Sequence, residues 1–359
     1  MTPTPSELRA AFDAPAPLTI GIEEELMVVD GGTLDLAPAG DLLLDERFKR
    51  ELPATQIEIV TAPAATVAEA IAQLAAARAD LDAAARARGL RVIGAGMHPF
   101  AAAAGSLSEG ERYERIDADY GYIARRQLVC ALQVHVAVGC ADRSLTAYNA
   151  LRPRLPLLAA LGANAPFHVG EDTGLASMRP VVGRMLPRQG VPPALESWDA
   201  FADALAFVGD TKVWWWELRP HPRFGTLELR VPDTQTTLED AAALAGVAHA
   251  LVAHLAESRA DGHAETWRIE ENRWSACRDG VEGAMADLRT GRRTATRDLL
   301  GALIDELEPA AAEVGCSEEL ASARALVEAN GAMRQRAIAG SDGLRGLVRR
   351  LAGDFARAR

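Results

Sequence analysis

The sequence lacks the patterns that mark secreted, membrane-inserted or disulfide-stapled proteins. Its four cysteines, Cys130, Cys140, Cys277 and Cys316, show no C-x-x-C spacing, which suits neither a zinc knuckle nor a disulfide framework. No uncharged apolar run is long enough to cross a bilayer, and the first residues show no basic segment followed by an apolar one. We therefore expect a cytoplasmic protein with reduced thiols and no membrane partner.

Positive charge is also scarce. The chain has 38 Lys and Arg against 50 Asp and Glu, a formal net charge of -12. General nucleic-acid binding needs a positive excess that displaces counterions, so we expect small-molecule partners and no nucleic acid. The G-x-x-x-x-G-K-[ST] phosphate loop and the G-x-S-x-G elbow are both missing, which removes two common nucleotide and hydrolase motifs.

The chain has 359 residues, without an internal repeat or a linker that would divide it, and this predicts a single domain. Residues 1–16 are rich in proline and predict a flexible lead-in. Residues 237–359 predict a largely helical C-terminal part, with breaks near Gly262, Gly280 and Gly291.

Strand and helix patterns alternate between these two ends. Strands are predicted in residues 18–29, 33–38, 55–63, 90–99 and 127–139, and two more in 211–233, where Trp214, Trp215 and Trp216 stand together. Helices are predicted over 67–89 and 144–164, the second kinked by internal prolines. These patterns favour an α+β fold whose sheet has one functional face.

Three consecutive glutamates, Glu23, Glu24 and Glu25, interrupt the apolar run of the first strand. Side chains alternate across a strand, so Glu23 and Glu25 share one face while Glu24 lies with the apolar residues. Glu24 then needs a separate partner, such as an arginine from a packed helix. We predict that its loss harms folding more than chemistry.

The same alternation recurs in three later strands. Their polar positions are Glu58, Gln133, His135, Glu228 and Arg230. If the strands form one sheet, these acidic groups converge with Glu23 and Glu25 and need a cation, for which oxygen ligands in excess suit Mg²⁺ or Mn²⁺ rather than zinc. Magnesium shares substrate phosphates, so a nucleotide is expected as well, with Arg230 near a phosphate. The alternative is an antiparallel sheet with an ordinary solvated face.

Arginines in segments flanked by glycine or proline are further candidates. They are Arg179, Arg219, Arg223, Arg273 and Arg278. Each could clamp a substrate, and each is also explained as a solvated or salt-bridged surface residue.

Several segments, in this order, resemble the carboxylate-amine ligase family that is often labelled glutamate-cysteine ligase type 2. The matching segments are "GIEEELMVVD", "QIEIVTAP", "GAGMHPF", "CALQVHVAVG", "NAPFHVGEDTGLASMRP", "WWELRPHPRFGTLELRVPDTQTTLEDAAALA" and "ENRWSACRDG". They cover most of the chain from about residue 18 to the C-terminal helices.

The resemblance implies a curved antiparallel sheet with helices on its convex side, as in the catalytic domains of glutamine synthetase and glutamate-cysteine ligase. It makes residues 1–359 one catalytic domain. The implied reaction uses ATP and Mg²⁺, with Mn²⁺ as a substitute. The γ-carboxylate of glutamate becomes an acyl phosphate, and an amine such as L-cysteine displaces the phosphate. A homo-oligomer is left open.

Carried over by position, the resemblance implies roles for named residues. The metal ligands are Glu23, Glu25, Glu58, Glu228 and His135. The catalytic residues are Glu228, Arg230 and Arg179, the substrate is bound by Arg179, Arg219, Gln133 and His135, and the nucleotide is bound by Arg230, Arg273 and Arg278. Many members have histidine where this chain has Gln133, so the resemblance leaves open whether Gln133, His135 or both make contact.

Three alternatives stand beside this hypothesis. One is a ligase that uses another amine, and a second is a nucleotide-binding regulator that retains the fold without turnover. The third, a metal-dependent hydrolase, would be marked by a histidine-rich ligand set, which the sequence lacks.

Overall fold

The structure is a computed structural model that describes residues 3–209, 213–257 and 264–357. The helices are α1 Pro5–Asp13, α2 Val67–Arg86, α3 Glu111–Tyr120, α4 Tyr122–Arg125, α5 Ala141–Leu151, α6 Leu155–Leu161, α7 Arg179–Gly183, α8 Trp198–Val208, α9 Leu238–Ala256, α10 Thr266–Asp279, α11 Thr296–Glu313, α12 Ser317–Glu328 and α13 Gly331–Phe355. The strands are β1 Ile20–Asp30, β2 Phe48–Arg50, β3 Gln56–Val60, β4 Leu90–Ile93, β5 Leu132–Ala137, β6 Phe167–His168, β7 Glu171–Asp172, β8 Leu218–His221, β9 Thr226–Leu229, β10 Ala284–Ala286 and β11 Arg293–Ala295.

A seven-stranded sheet forms the centre of the fold, in the order β2-β3-β1-β5-β9-β8. All its pairings are antiparallel, and β4 joins through the C-terminal half of β1. The long β1 lies between β3 and β5, and its registered pairs are Glu25 with Glu58 and Glu23 with Gln133. The predicted α+β class with an antiparallel sheet is confirmed.

Helices cover the apolar face of this sheet. In that face, Ile22, Leu26, Ile57 and Val134 are buried in one core with residues of α2, α5 and α9. Among the described residues, α9 is the helix long and apolar enough to span a membrane, and 83% of it is buried inside the protein. It is therefore the central core helix of this layer.

The N-terminal segment differs from the expected flexible lead-in. Residues 5–13 form α1, whose start is fixed by a capping box: the Thr4 side chain accepts from the backbone of Glu7, and the Glu7 side chain accepts from Thr4. Leu8 and Phe12 are fully buried, and the Phe12 ring lies 4.6 Å from that of Trp198. The proline content suggested a flexible segment, but an amphipathic face docks this helix on the core.

Other boundaries also differ from the sequence predictions. Residues 33–38 form only an isolated bridge between Val29 and Leu36, and the strand that pairs with β3 is the short, unpredicted β2. The three tryptophans precede β8 instead of lying on a strand. The start of that predicted strand at Thr211, and the break at Gly262, lie outside the described residues.

Two predictions for the helical regions can be checked. Pro153 ends α5 near Arg152, and a short 3-10 turn leads into α6, so the predicted kink is confirmed. Over its described residues, 237–257 and 264–357, the C-terminal part is largely helical, and the unpredicted hairpin of β10 and β11 occupies the region around Gly291.

Candidate active site

The predicted polar face exists, and strand register brings its residues together. His135 on β5 is the registered partner of Glu228 on β9, which in turn pairs with Arg219 on β8. Together with the Glu23–Gln133 and Glu25–Glu58 pairs, this places the polar positions of five strands side by side. Alternation across the pleat is the cause, because the opposite face is packed into the core.

Glu24 points the other way, as predicted. The guanidinium of Arg78 on α2 donates to both of its carboxylate oxygens, through Nε at 2.8 Å and through Nη2. Arg78 also donates to the carbonyl oxygens of Gln235 and Thr236, both at 3.0 Å. Burial of Glu24 is thus compensated by an arginine from a packed helix.

The first acidic cluster consists of Glu23, His135 and Glu228, whose potential ligand atoms all lie within 4.8 Å of one another. His135 Nε2 is 3.5 Å from Glu23 Oε1 and 4.0 Å from Glu228 Oε1. Its Nδ1 is 3.0 Å from the hydroxyl of Thr226, which orients the ring. Buried Nε2 has no hydrogen-bond partner among the described residues, so it is available to a ligand between the two carboxylates.

The second acidic cluster consists of Glu25, Glu51 and Glu58, again within 4.8 Å of one another. Burial raises the pKa of Glu25 to about 7, with the charge of Glu51 adding to it. Burial and three neighbouring carboxylates raise the pKa of Glu58 well above its usual range, and burial raises that of Glu51. These carboxylates cannot all be ionised together unless a cation neutralises them.

Both clusters fit hard divalent cations. The second offers carboxylate oxygens alone, and the first adds one imidazole nitrogen to two carboxylates. Such oxygen-rich sets match the ligand preference of Mg²⁺ and Mn²⁺. The residues predicted as metal ligands therefore divide between two clusters, and the second cluster includes Glu51, which the sequence prediction missed.

Arginines connect the clusters. Arg230 donates from Nη1 to Glu228 Oε1 and to Gln133 Oε1, and Arg219 donates to Glu228 Oε2 and to the carbonyl oxygen of Trp214. Burial opposes the ionisation of Glu228, but the charges of Arg219 and Arg230 outweigh it and hold its pKa far below the usual range. Gln133 also donates to Glu25 Oε1 at 2.8 Å, so it bridges the second cluster to Arg230.

Arg179 is the first residue of α7, and hydrogen bonds to Asp233 and Val231 hold its guanidinium in place. Its Nε donates to Asp233 Oδ1 at 2.6 Å and its Nη2 to the carbonyl oxygen of Val231 at 2.5 Å. The same carboxylate of Asp233 accepts from the Ser177 hydroxyl and from the backbone of Asn164. The Nη1 group of Arg179 has no partner in the described part of the chain, and the residue lines the cavity described below.

Two of the predicted nucleotide-binding arginines lie elsewhere. Arg273 on α10 is buried, and its donors are engaged by Glu217, with Nε 2.8 and 2.9 Å from the two oxygens. Arg278 is half exposed and pairs with its neighbour Asp279. Neither is among the described residues that line a cavity at the polar face, so the geometry does not support their direct contact with a nucleotide.

Two cavities meet at the polar face. The first has a volume of about 270 Å³ and contains the second acidic cluster together with Arg179, Arg219 and Arg230. The second has a volume of about 690 Å³ and a mainly apolar wall, with Ile20, Ile22, Val60 and Phe224. Glu23 lines both cavities, so the first acidic cluster stands at their boundary.

The turn between β8 and β9 closes the second cavity against α1. Gly225 has φ +65°, and a Cβ there would lie 2.0 Å from the carbonyl oxygen of Ala11, so only glycine permits this approach. Phe224 stacks on His221 with ring centroids 4.3 Å apart, and both rings meet His135 edge-on. The cavity wall therefore depends on the N-terminal helix that was predicted to be flexible.

Glu51 and Glu217 line the first cavity but were not predicted as site residues. Both carried an alternation signal. Glu51 is in phase with Lys49, the registered partner of Glu58, and Glu217 is in phase with Arg219. The signal at Glu51 was weak because β2 has only three residues.

Known proteins match this chain in sequence over most of its length. The model of Glutamate-cysteine ligase family 2 (GCS2) matches residues 19–351. A protein of Rubrobacter xylanophilus, named "Putative glutamate--cysteine ligase 2-3", is 38% identical over 352 residues, which cover 94% of this chain and 96% of that protein. A Frankia alni protein, "Putative glutamate--cysteine ligase 2-1", is 34% identical over 356 residues, covering 92% of this chain and 93% of its own length.

Two solved structures are similar in fold. The glutamate-cysteine ligase of Francisella tularensis, solved in complex with AMP, aligns with a TM-score of 0.70 at 14% identity and covers 95% of this chain and 89% of its own. A bifunctional glutathione synthetase from Pasteurella multocida aligns with a TM-score of 0.65 at 17% identity, over 98% of this chain and 54% of that one. At these identities the likeness concerns the fold alone.

Proposed function

The chain belongs to glutamate-cysteine ligase family 2, and on this premise we propose that it is an ATP- and Mg²⁺-dependent ligase. Family and fold support a carboxylate-amine ligase. In the proposed reaction, ATP phosphorylates the γ-carboxylate of glutamate, and an amine such as L-cysteine displaces phosphate from the acyl phosphate. The whole chain acts as one catalytic domain in the cytoplasm, where its four free cysteines, of which all but Cys140 are buried, stay reduced.

The observation that carries the proposal is the meeting of two unlike cavities at one acidic boundary. A reaction that joins three substrates needs separate places for them and one point where phosphate passes between them. We assign ATP to the larger cavity, whose apolar wall suits a base, and the γ-carboxylate of glutamate and the amine to the smaller, charged cavity. Phosphoryl transfer then takes place beside Glu23, which lines both.

The two acidic clusters could hold cations beside the negative charge of the transferred phosphoryl group. Glu23, His135 and Glu228 would hold one divalent cation and Glu25, Glu51 and Glu58 a second. Bound there, such cations would neutralise the charge of the polyphosphate and of the acyl phosphate. Arg230 adds a fixed guanidinium between the clusters, and Arg179 offers its Nη1 donors to a substrate carboxylate.

The proposal is tested by phosphate release from Mg-ATP with glutamate and a panel of amines that includes cysteine. We expect release that depends on both glutamate and one amine, with an amide product of matching amount. A panel without any amine-dependent release would contradict the ligase function and leave the nucleotide-binding regulator. Phosphate release with another amine but not with cysteine would support the ligase function and show that the acceptor is not cysteine.

The proposed cations are tested separately through Glu228. Replacement of Glu228 by Gln removes one ligand of the first cluster and the charge partner of two arginines. We expect lost activity and an altered Mg²⁺ dependence. Unchanged values for both would show that the metal assignment is wrong.

A further inference from the structure

The wall of the first cavity contains one carboxylate that neither acidic cluster uses. Among the described residues that line this cavity, Glu217 is the glutamate outside both clusters, and only 5% of it is exposed. Its backbone extends the ladder of β8 and β9, since the amide of Arg230 donates to Glu217 O at 2.8 Å. Because Glu217 is two residues before Arg219, the pleat directs both toward the reactive face.

Arg273 holds the Glu217 carboxylate in place. Its Nε lies 2.8 and 2.9 Å from the two carboxylate oxygens, and its Nη2 lies 2.7 Å from Oε1. Both residues are almost fully buried. A planar guanidinium that contacts both oxygens fixes the orientation of the carboxylate and leaves its remaining lone pairs for a donor in the cavity.

A rigid, partly apolar wall surrounds this carboxylate. Trp215 lines the same cavity; Tyr120 meets its ring edge-on, with centroids 5.6 Å apart, and the Arg188 guanidinium lies over the ring, 5.8 Å from its centroid. Gly190 O accepts from the amide of Glu217 at 3.0 Å. A Cβ on Gly190 would lie 2.7 Å from Glu270 Oε1, so the loop packs tightly against α10. An acidic group beside an aromatic wall suits a small cation with an apolar body.

We propose that Glu217 binds the acceptor amine and that the acceptor is a compact primary amine whose apolar part packs against Trp215. This inference rests on the proposed ligase function. The amine arrives as an ammonium ion, donates to Glu217 and gives it one proton. The nitrogen lone pair then forms the bond to the acyl carbon, the bond from that carbon to the phosphate oxygen breaks, and the departing phosphate takes the second proton. Arg273 is a positioning residue, since it acts through Glu217.

The test separates the two halves of the reaction in the full-length protein with Mg-ATP and glutamate. Hydroxylamine, which is small and neutral at pH 7, traps the acyl phosphate as a hydroxamate, whereas the best amine of the panel reports complete ligation. For Glu217→Gln we expect hydroxamate formation close to that of the unaltered protein and a KM for the amine raised about 10-fold or more, the loss of one charged hydrogen bond. The defect should shrink as pH rises toward the pKa of the amine, because a neutral amine needs no proton acceptor.

Several results would overturn the inference. An unchanged KM for the amine and an unchanged pH profile would remove Glu217 from acceptor binding. An equal loss of hydroxamate formation and ligation would assign it to the first half-reaction or to folding. The proposed function fails in a different way, because the unaltered protein would then form neither product.

Two control variants separate an effect on amine binding from an effect on folding. Glu217→Gln leaves Arg273 buried without its carboxylate, so the double variant Glu217→Gln/Arg273→Gln removes both charges and is judged by the same two assays if the single variant does not fold. Glu271→Gln removes an exposed carboxylate from α10, outside both cavities, and should match the unaltered protein in both reactions.

Discussion

Glu24 on β1 and Arg78 on α2 form an ion pair that is almost completely withdrawn from water, with 0% and 2% of their side chains exposed. Replacing Glu24 with Gln leaves the guanidinium buried without a charged partner. We expect the free energy of unfolding to fall by about 3 kcal/mol, the lower end of the range for breaking a buried pair from one side. Chemical denaturation measures this change, and the folded fraction should keep its activity.

The neighbouring Glu23 provides the matched control for that experiment. Glu23→Gln makes the same chemical change one residue away, but on the face that carries the first acidic cluster. We expect a loss of activity on the order of 100-fold, comparable to the removal of one transition-state electrostatic contact, with little change in stability. A stable but inactive Glu24→Gln protein, or an active Glu23→Gln protein, would reverse the assignment of the two faces.

The second acidic cluster predicts a pH-dependent stability. Because the pKa values of Glu25, Glu51 and Glu58 are raised on folding, the folded protein binds more protons than the unfolded chain above their ordinary pKa. Without divalent cations, the contribution of these three groups to stability should be greatest below pH 4.5. The contribution of Glu25 should be lost as the pH rises through its folded pKa of about 7. For Glu25 alone, the raised pKa corresponds to a fall in the free energy of unfolding on the order of 3 kcal/mol.

Bound cations should reverse this loss, which thermal unfolding can measure. We expect Mg²⁺ or Mn²⁺ to raise the Tm of the protein more at pH 8 than at pH 5, because the ligands must be ionised to bind. A Glu58→Gln variant, with one repelling carboxylate fewer, should be more stable than the unaltered protein in EDTA at pH 8 and should respond less to cations. Equal cation effects at both pH values would contradict a metal site here.

Alternation along the strands predicted which residues share the polar face, and it did so because the other face is packed. A one-residue shift of register would bury Glu23 and Glu25 among Ile57 and Val134, so the pattern is strongly constrained. The buried arginine partner of Glu24 followed from the same reasoning. Alternation does not reveal strand order, however, and the division of the ligands into two clusters depends on β1 lying between β3 and β5.

Features that depend on tertiary packing were missed or differ in position from what the sequence indicated. Glu51 follows an edge strand of only three residues, so its alternation signal is weak, and α1 is stabilised by docking Leu8 and Phe12 on the core. Arg273 and Arg278 matched a motif, but a helix presents residues five positions apart in different directions, and neither is among the described residues that line the two cavities at the polar face. Spacing in a helix is thus weaker evidence for a site than parity in a strand.

Asp233 should matter for catalysis without touching the substrate. Its Oδ1 fixes Nε of Arg179, so Asp233→Asn should release that guanidinium and raise the KM for glutamate about 10-fold, as expected for the loss of a charged hydrogen bond. Asp172→Asn is the matched control, since Asp172 also binds an arginine, Arg336, but at the surface. In steady-state kinetics with varied glutamate, Asp172→Asn should leave the KM for glutamate unchanged. Equal effects of the two variants on this KM would show that Asp233 does not position Arg179.

Phe224 tests the assignment of the nucleotide to the larger cavity. Phe224 lines that cavity and is 46% exposed; its ring is stacked on His221 and has the Arg223 guanidinium 5.5 Å from its centroid, so a base that enters the cavity meets an aromatic ring beside a cation. Base stacking on an aromatic side chain contributes roughly 1–3 kcal/mol, and Phe224→Ala should therefore raise the KM for ATP about 10-fold while leaving the KM for glutamate unchanged. Phe207→Ala removes a phenylalanine that is 93% exposed on α8 and lines neither cavity, and it should leave both constants unchanged. A Phe224→Ala protein whose KM rises for glutamate instead of ATP would contradict this assignment, because Phe224 lines the larger cavity and not the smaller one.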